Sequence, residues 1–366
     1  MKKLILYPLI CICTVVSSYA QVAATIPTNT FKKHKINPVL QADSSFSFFC
    51  PMQDKPVKWQ KADVFNPAAI VQKGKIMLLY RAEDNPKAHL GGRTSRIGLA
   101  ESSDGVHFKK LAAPVLYPAK DDFAKYDSPG GCEDPRVVQA LDGTFIMAYT
   151  AWNYKTPRLS IAFSKDLKTW QKKGPAFAKA YNGKYKDMAS KSASIITTYK
   201  NGKYVVAKIN QKYWMYWGEL GVNLAWSENL IDWYPAENQN GELEYVIQAR
   251  KNKFDSHLTE CGPPAIITKK GVELLYNGRN SENETESDPS YPKGMYTVGK
   301  VIFDKNDLKT PVYRSAEPFL IPTLPHEISG QYKAGTCFAE GLVYFKNKWF
   351  LYYGTADSFV GLAVSE

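Results

Sequence analysis

Five short segments of this 366-residue sequence set carboxylates, an amide or a lysine beside proline, glycine or serine. They are 63–67 with Asn66, 131–136 with Glu133 and Asp134, 187–192 with Lys191, 259–264 with Glu260, and 338–341 with Glu340. Cleavage of a glycosidic bond requires one carboxyl to donate a proton and another to activate water or attack carbon. Trp214, Tyr216 and Trp217 beside Glu219 offer flat apolar faces suited to stacking on sugar rings. Proline removes a backbone donor and fixes the approach of the chain, which suits the first residue of a strand. Such chemistry requires segments spread along most of the chain to meet in one place.

Internal periodicity supplies the positioning elements. A polar turn followed by an apolar strand recurs at 73–80, 141–149, 201–208, 269–276 and 346–353, with ends 69, 59, 68 and 77 residues apart. Each is preceded by another short β-rich run, and two such runs about a turn of Gly, Asn, Asp and Lys signal a hairpin. A third element follows in three of the units, where Ser103, Ser164 and Ser227 open turns that close on Phe108, Trp170 and Trp233. No long stretch carries a 3.6-residue apolar period. Five units of about 60 to 70 residues, each of three or four antiparallel strands, predict an all-β fold, a single-domain five-bladed β-propeller. A β-sandwich would have to repeat the hairpin five times by coincidence. In a propeller the innermost strands line a central channel, so the five polar segments would converge in one funnel.

The N-terminus reads differently. Lys2 and Lys3 precede an apolar stretch from Leu4 to Val16, and Ser18-Tyr19-Ala20 offers small residues for cleavage before Gln21. Cys11 and Cys13 lie too early in that stretch for a lipoprotein signal. The expected layout is a cleaved leader at 1–20, a linker at 21–30 and the propeller at 31–366. Export would end in the periplasm, with the cell surface and the medium as alternatives. Beyond the leader no apolar run approaches the ~18 residues of a membrane span. The net charge of +12 falls to +10 without the two leader lysines. Lys and Arg are scattered singly with no nucleic-acid motif, so nucleic acid is not an expected partner. Cys50, Cys132, Cys261 and Cys337 permit disulfides, but four cysteines allow three pairings and the sequence selects none. No Cys-x-x-Cys pair or His spacing suggests a metal site. Aromatics at 13% exclude a solvated, disordered chain.

Several motifs stand in order: Phe65-Asn66-Pro67-Ala68, Tyr80-Arg81, Arg96-Ile97-Gly98, Glu133-Asp134-Pro135-Arg136, Gly262-Pro263-Pro264 and Tyr352-Tyr353-Gly354-Thr355-Ala356-Asp357. On them the chain resembles glycoside hydrolase family 130, the β-mannoside phosphorylases and mannosidases, from about residue 31 to the C-terminus. The resemblance implies Asp134 as general acid, its proton relayed through the 3-hydroxyl of the bound mannose. It implies Asn66, Arg81, Arg96 and Asp357 as substrate contacts, and Arg136 and Lys191 are grouped with them. Arginine serves equally well in structural pairing with nearby acids. One departure stands out. Phosphorylases of the family place basic residues where phosphate attacks, whereas this chain has Glu219 and Glu260, 41 residues apart. An anionic pair repels phosphate but can polarise water, which is similar to the hydrolytic β-1,2-mannosidases.

The expectation is an exported, inverting, exo-acting β-mannosidase on β-1,2-linked mannosides. A mannoside oligosaccharide would be its partner, with no metal or organic cofactor. Asp134 would be the acid and Glu219 or Glu260 the base. A phosphorylase producing mannose 1-phosphate and a non-catalytic glycan-binding propeller are the alternatives. Nothing in the sequence fixes the oligomeric state.

Overall fold

Each polar-turn repeat forms the inner hairpin of its own antiparallel sheet in the computed structural model, which describes residues 25–88, 92–200 and 203–365. The expected leader at 1–20 lies outside the described residues. Blade one consists of Asp63–Gln72, Lys75–Glu83, Ser95–Ser102 and Lys109–Lys110. Blade two consists of Gly131–Gln139, Phe145–Trp152, Arg158–Ser164 and Trp170–Pro175. In blade four, Leu258–Cys261 and Ile266–Thr268 flank Gly262-Pro263-Pro264 and pair with Gly271–Arg279. Tyr296–Phe303 and Pro311–Arg314 complete that blade.

Blade three departs from the regular spacing. Its second strand does not run straight through residue 208. Lys203–Val206 pairs with Thr197–Lys200, the chain then turns at Asn210 and Gln211, both with positive φ, and Lys212–Trp217 continues against Ala193–Ile195. That extension delivers Gly218 and Glu219 to the axial end of the blade. Gly221–Ser227 and Trp233–Pro235 follow on the outside.

Blade five closes the ring with both ends of the chain. Phe338–Phe345, Lys348–Thr355 and Phe359–Ser365 are completed by the N-terminal strand Phe31–Lys33, with Phe31 opposite Ser365. Val64 of blade one donates its N–H to Ser358 O at 3.3 Å, so the last segment lies beside the first blade.

Alternation of side chains along the strands sends apolar residues into five separate interfaces. Ala68 and Leu79 of blade one meet Val137 and Met147 of blade two. Ile146 and Ile161 meet Ile195 and Met215 of blade three. Tyr216 and Leu224 meet Leu274 and Val301 of blade four. Leu275 and Val298 meet Leu342 and Leu351 of blade five. Val343 and Phe350 meet Val64 and Leu78 of blade one. Five interfaces for five blades make a closed ring, whereas a sandwich has one layer of core. Each buried Leu, Ile or Val contributes about 1.5–3 kcal/mol.

The recurrent outer turn has a physical cause. Ser164 and Ser227 hydroxyls accept the backbone N–H of Leu167 and Leu230, each at 2.9 Å. Both leucines have φ of 65°, and a side-chain acceptor at the turn offsets part of that strain. In blade one the hydroxyl is that of Ser102 rather than Ser103, and it accepts the N–H of Gly105 at 2.8 Å.

Candidate active site

The first strands of blades one, two and five lose register at their polar residue. Pairing skips Asn66, then Asp134 with Pro135, then Glu340. A bulge of this kind re-aims the side chain it carries. Asn66 and Asp134 have φ of 47° and 48°, in the left-handed region that Asn and Asp tolerate better than other non-glycine residues. Ser192 and Asp357, with φ of 51° and 50°, share it. Such backbone costs about 1–3 kcal/mol per residue, and these four residues all lie at one end of the channel.

These residues meet around a cavity of about 340 Å³ to which all five blades contribute. Asn66, Arg81, Glu133, Asp134, Lys191, Glu219, Glu260 and Asp357 form its polar wall; Phe65, Trp152, Tyr296, Tyr332 and Phe338 supply aromatic faces. The structure therefore brings together seven of the nine residues singled out from sequence: Asn66, Arg81, Asp134, Lys191, Glu219, Glu260 and Asp357.

Arg81 is the hub of one side. Its Nη1 donates to Asp134 Oδ1 at 3.2 Å, and its Nη2 to Glu133 Oε1 at 2.8 Å and Glu83 Oε1 at 2.7 Å. Asn66 Nδ2 donates to the same Asp134 Oδ1 at 2.9 Å. Among the described residues, Asp134 Oδ2 accepts no hydrogen bond. Asn66 can come this close because Gly354 has no side chain: a Cβ there would fall 1.9 Å from Asn66 Oδ1. Burial alone would lift the Asp134 carboxyl, but Arg81, Lys191, Arg136 and the Asn66 amide outweigh it and hold it below its ordinary value. Glu133 goes the other way, pushed up by burial and by the neighbouring Asp134 charge against the pull of Arg81. Burial also lifts Asp357, to about 6.

Lys191 organises the other side. Its Nζ lies 3.3 Å from Glu219 Oε2. Burial would lower its pKa, but Glu219, Glu260, Asp134 and Glu133 raise it well above the usual value and keep it charged. Glu260 accepts the Ser192 hydroxyl, and burial pushes it up to about 7 against Lys191. Glu219 reaches the cavity through Gly218, whose φ is 123° and where a Cβ would meet Gly221 O at 2.2 Å.

The raised Glu260 has a consequence for stability. A carboxyl that moves from 4.5 to about 7 on folding binds its proton more tightly in the native state, so its stabilising effect is lost as pH rises between those values. At about 1.4 kcal/mol per unit, the ionised form costs on the order of 3 kcal/mol. Glu260→Gln should therefore raise the unfolding free energy, relative to wild type, more at pH 8 than at pH 5. Denaturant unfolding at the two pH values measures the difference, and an equal effect at both would contradict it.

Two expected substrate contacts lie elsewhere. Arg96 is fully buried, with Nη1 donating to Asp84 Oδ2 at 2.8 Å and its guanidinium over the Phe48 ring. Arg136 is 2% exposed and lies behind the cavity wall, donating to the carbonyls of Asp134 and Cys261 at 3.0 and 2.9 Å, with Glu340 Oε1 3.0 Å away. Both are structural pairings that hold blades and strand starts in place. The aromatics beside Glu219 are also core: Trp217 packs on Phe177, and Tyr216 stacks on Phe303 with its hydroxyl donating to Leu308 O. Trp214 donates its indole N–H to Ile209 O. The cavity's aromatic wall comes from other blades, and Arg279 braces it by donating to the Tyr332 hydroxyl at 2.8 Å. Glu133 was legible as part of a motif but not as a wall of the site.

Cys50, Cys132, Cys261 and Cys337 are free and buried. Among the described residues no cluster of His, Cys, Asp and Glu is arranged to hold a metal ion, and no helix is long and apolar enough to cross a membrane. The cavity wall presents several carboxylates, one held ionised beside an arginine and one titrating near neutrality, together with aromatic faces.

A family model for glycoside hydrolase family 130, described as beta-1,4-mannooligosaccharide phosphorylase, matches residues 30–366. A 1,2-beta-oligomannan phosphorylase of Thermoanaerobacter sp. (strain X514) is 31% identical over 86% of this chain and 96% of its own length. A glycosyl hydrolase structure from Bacteroides ovatus superposes with a TM-score of 0.89 at 48% identity, covering 92% of this chain and 93% of that one. Another structure, at 48% identity and a TM-score of 0.90, covers 94% and 96%. It is described as showing that the GH130 family of mannoside phosphorylases contains glycoside hydrolases that target beta-1,2 mannosidic linkages in Candida mannan.

Proposed function

The chain belongs to glycoside hydrolase family 130, and from that premise we propose that it is an inverting, exo-acting β-mannosidase that hydrolyses β-1,2-linked mannosides. The observation that carries the reading is Lys191 paired with Glu219 and within the field of Glu260. A phosphorylase needs uncommitted positive charge where phosphate attacks. Here the cavity wall holds five carboxylates, Glu133, Asp134, Glu219, Glu260 and Asp357, against two cations, Arg81 and Lys191. Both cations are already engaged with carboxylates. Water has no charge to be repelled, and a carboxylate titrating near 7 is well matched to accept its proton.

In the proposed mechanism the terminal mannose fills the cavity beside Asn66, Arg81 and Asp357. Its entry strips water from Asp134 and moves that carboxyl upward, while Glu133 keeps a proton close by. Asp134 takes up the proton that the raised Glu133 holds and passes it to the mannose 3-hydroxyl, which gives its own proton to the leaving oxygen as the glycosidic bond breaks. Glu219 or Glu260 accepts the proton of a water attacking the anomeric carbon from the opposite face, with the charged Lys191 beside them able to orient that water. The leading residues 1–20 support action after export, in the periplasm, where sugar phosphates are of little use. The phosphorylase reading draws on the description of the family model and on the name of the 31% identical relative.

Incubation with β-1,2-, β-1,3- and β-1,4-mannobiose tests the linkage. Mannose should appear from the β-1,2 disaccharide at least about 10-fold faster than from the others, a difference of about 1.4 kcal/mol in transition-state binding. A preference for the β-1,4 disaccharide would overturn the linkage assignment.

A further inference from the structure

A second depression, of about 480 Å³, lies beside the cavity on loops of blades one and two. Lys55, Lys58, Lys61 and Lys87 line it and are all exposed. Several surface lysines are matched with acids, among them Lys75 with Glu101, Lys120 with Asp54, Lys184 with Glu237 and Lys309 with Glu244, at 2.7–2.9 Å; what sets the groove apart is that four unpaired ones share one depression. None of the four groove lysines makes an ion pair among the described residues. The acids at the groove are already committed, since Asp84 is bound by Arg96, and Asp63 and Glu83 are bound by Arg93. The groove therefore presents a cluster of four unneutralised charges, a positive field adjoining a cavity walled with carboxylates.

Two contacts join the groove to the cavity. Tyr154 on the groove packs edge-on against Trp152 of the cavity wall at 6.2 Å between ring centroids. Glu83 bridges Arg93 on the groove and Arg81 in the cavity. In an exo-acting enzyme the terminal sugar occupies the cavity, so the leaving group must run out through its mouth. A leaving group running over the Trp152–Tyr154 pair would meet the lysines of the groove.

We propose that the groove holds the leaving-group side of the glycan, and that the natural substrate carries an anionic substituent there, a phosphate or a carboxylate. This rests on the β-mannosidase reading and adds to it the charge class of the substrate. An anion would be repelled by the cavity but attracted one or two sugars further out. Salt would weaken that attraction, because exposed charges are screened over about 10 Å at 0.1 M.

The test compares three β-1,2-mannosides, with a neutral, a phosphate-bearing or a uronate-bearing leaving group. Each is assayed with wild type, Lys58→Glu/Lys61→Glu and the milder Lys58→Gln/Lys61→Gln. Wild type at low salt should show kcat/KM at least about 10-fold higher for one or both anionic substrates, and the arm that responds identifies the anion. The preference should fall to about 1 in the charge-reversed variant and in about 0.5 M salt, while hydrolysis of the neutral substrate stays within about 2-fold. No anionic preference in wild type, or one that survives charge reversal, would overturn the proposal. If no mannoside is cleaved, the mannosidase reading fails separately, and calorimetric binding of the phosphate- and uronate-bearing glycans to the same proteins decides the groove. Salt-sensitive binding lost in the Glu variant supports it; equal binding by wild type and variant, or none, overturns it.

Discussion

Asp134→Asn is expected to lower kcat on β-1,2-mannobiose by about 10²–10⁴-fold, the range a positioned proton donor supplies. The amide keeps the size of the side chain and can still meet Arg81 and Asn66, which hold Oδ1 in the wild type, but it has no acidic proton to give. The loss should be smaller on an aryl mannoside with a good leaving group, because that oxygen departs with little protonation. Folding should survive, since the left-handed backbone at residue 134 suits Asn as well as Asp. Steady-state rates on the two substrates provide the check. Equal losses on both would make Asp134 a binding group rather than the acid.

Glu260→Gln and Glu219→Gln are each expected to lower turnover by at least about 100-fold, as loss of a general base or of its partner does. Their routes differ. Glu260 is 6% exposed, accepts the Ser192 hydroxyl and titrates near neutrality, so its replacement removes a base already tuned to the task. Glu219 is more open and is paired with Lys191. Its replacement frees a cation that then pulls more strongly on Glu260, lowering its basicity. Rates on β-1,2-mannobiose measure both, and near-full activity in both variants would remove the water-activating pair from the mechanism.

Much of this site was legible before any fold was known, because the local chemistry repeats. Polar turns followed by apolar runs marked all five hairpins. Asn66 and Asp134, each before proline, marked the bulges where the register breaks, three residues inside their strands rather than at the strand starts that the prolines suggested. What misled was parity and long-range closure. Ser95 faces Arg81 and Glu133, so the alternation of a strand sends the adjacent Arg96 to the opposite side. Trp217 carries an aromatic face beside Glu219, yet the jog at Asn210 turns that face toward Phe177. Trp152, Tyr296 and Tyr332 reach the cavity only when the ring closes, and nothing local to them signals it. The groove lysines look scattered along the chain, although Lys55, Lys58 and Lys61 lie three residues apart; Lys87 joins them through the fold.

Hydrolysis against phosphorolysis is the central question, and proton NMR of the products of β-1,2-mannobiose with and without inorganic phosphate answers it most directly. A phosphate dianion a few Å from even one carboxylate is disfavoured by about 1 kcal/mol or more per charge pair, and by more where water is scarce. The cavity holds five carboxylates with both of its cations engaged. Free mannose should therefore appear at the same rate in both reactions, initially as the α anomer because the attacking water displaces from the opposite face. Mannose 1-phosphate as the main product, with little turnover in its absence, would contradict the hydrolytic assignment.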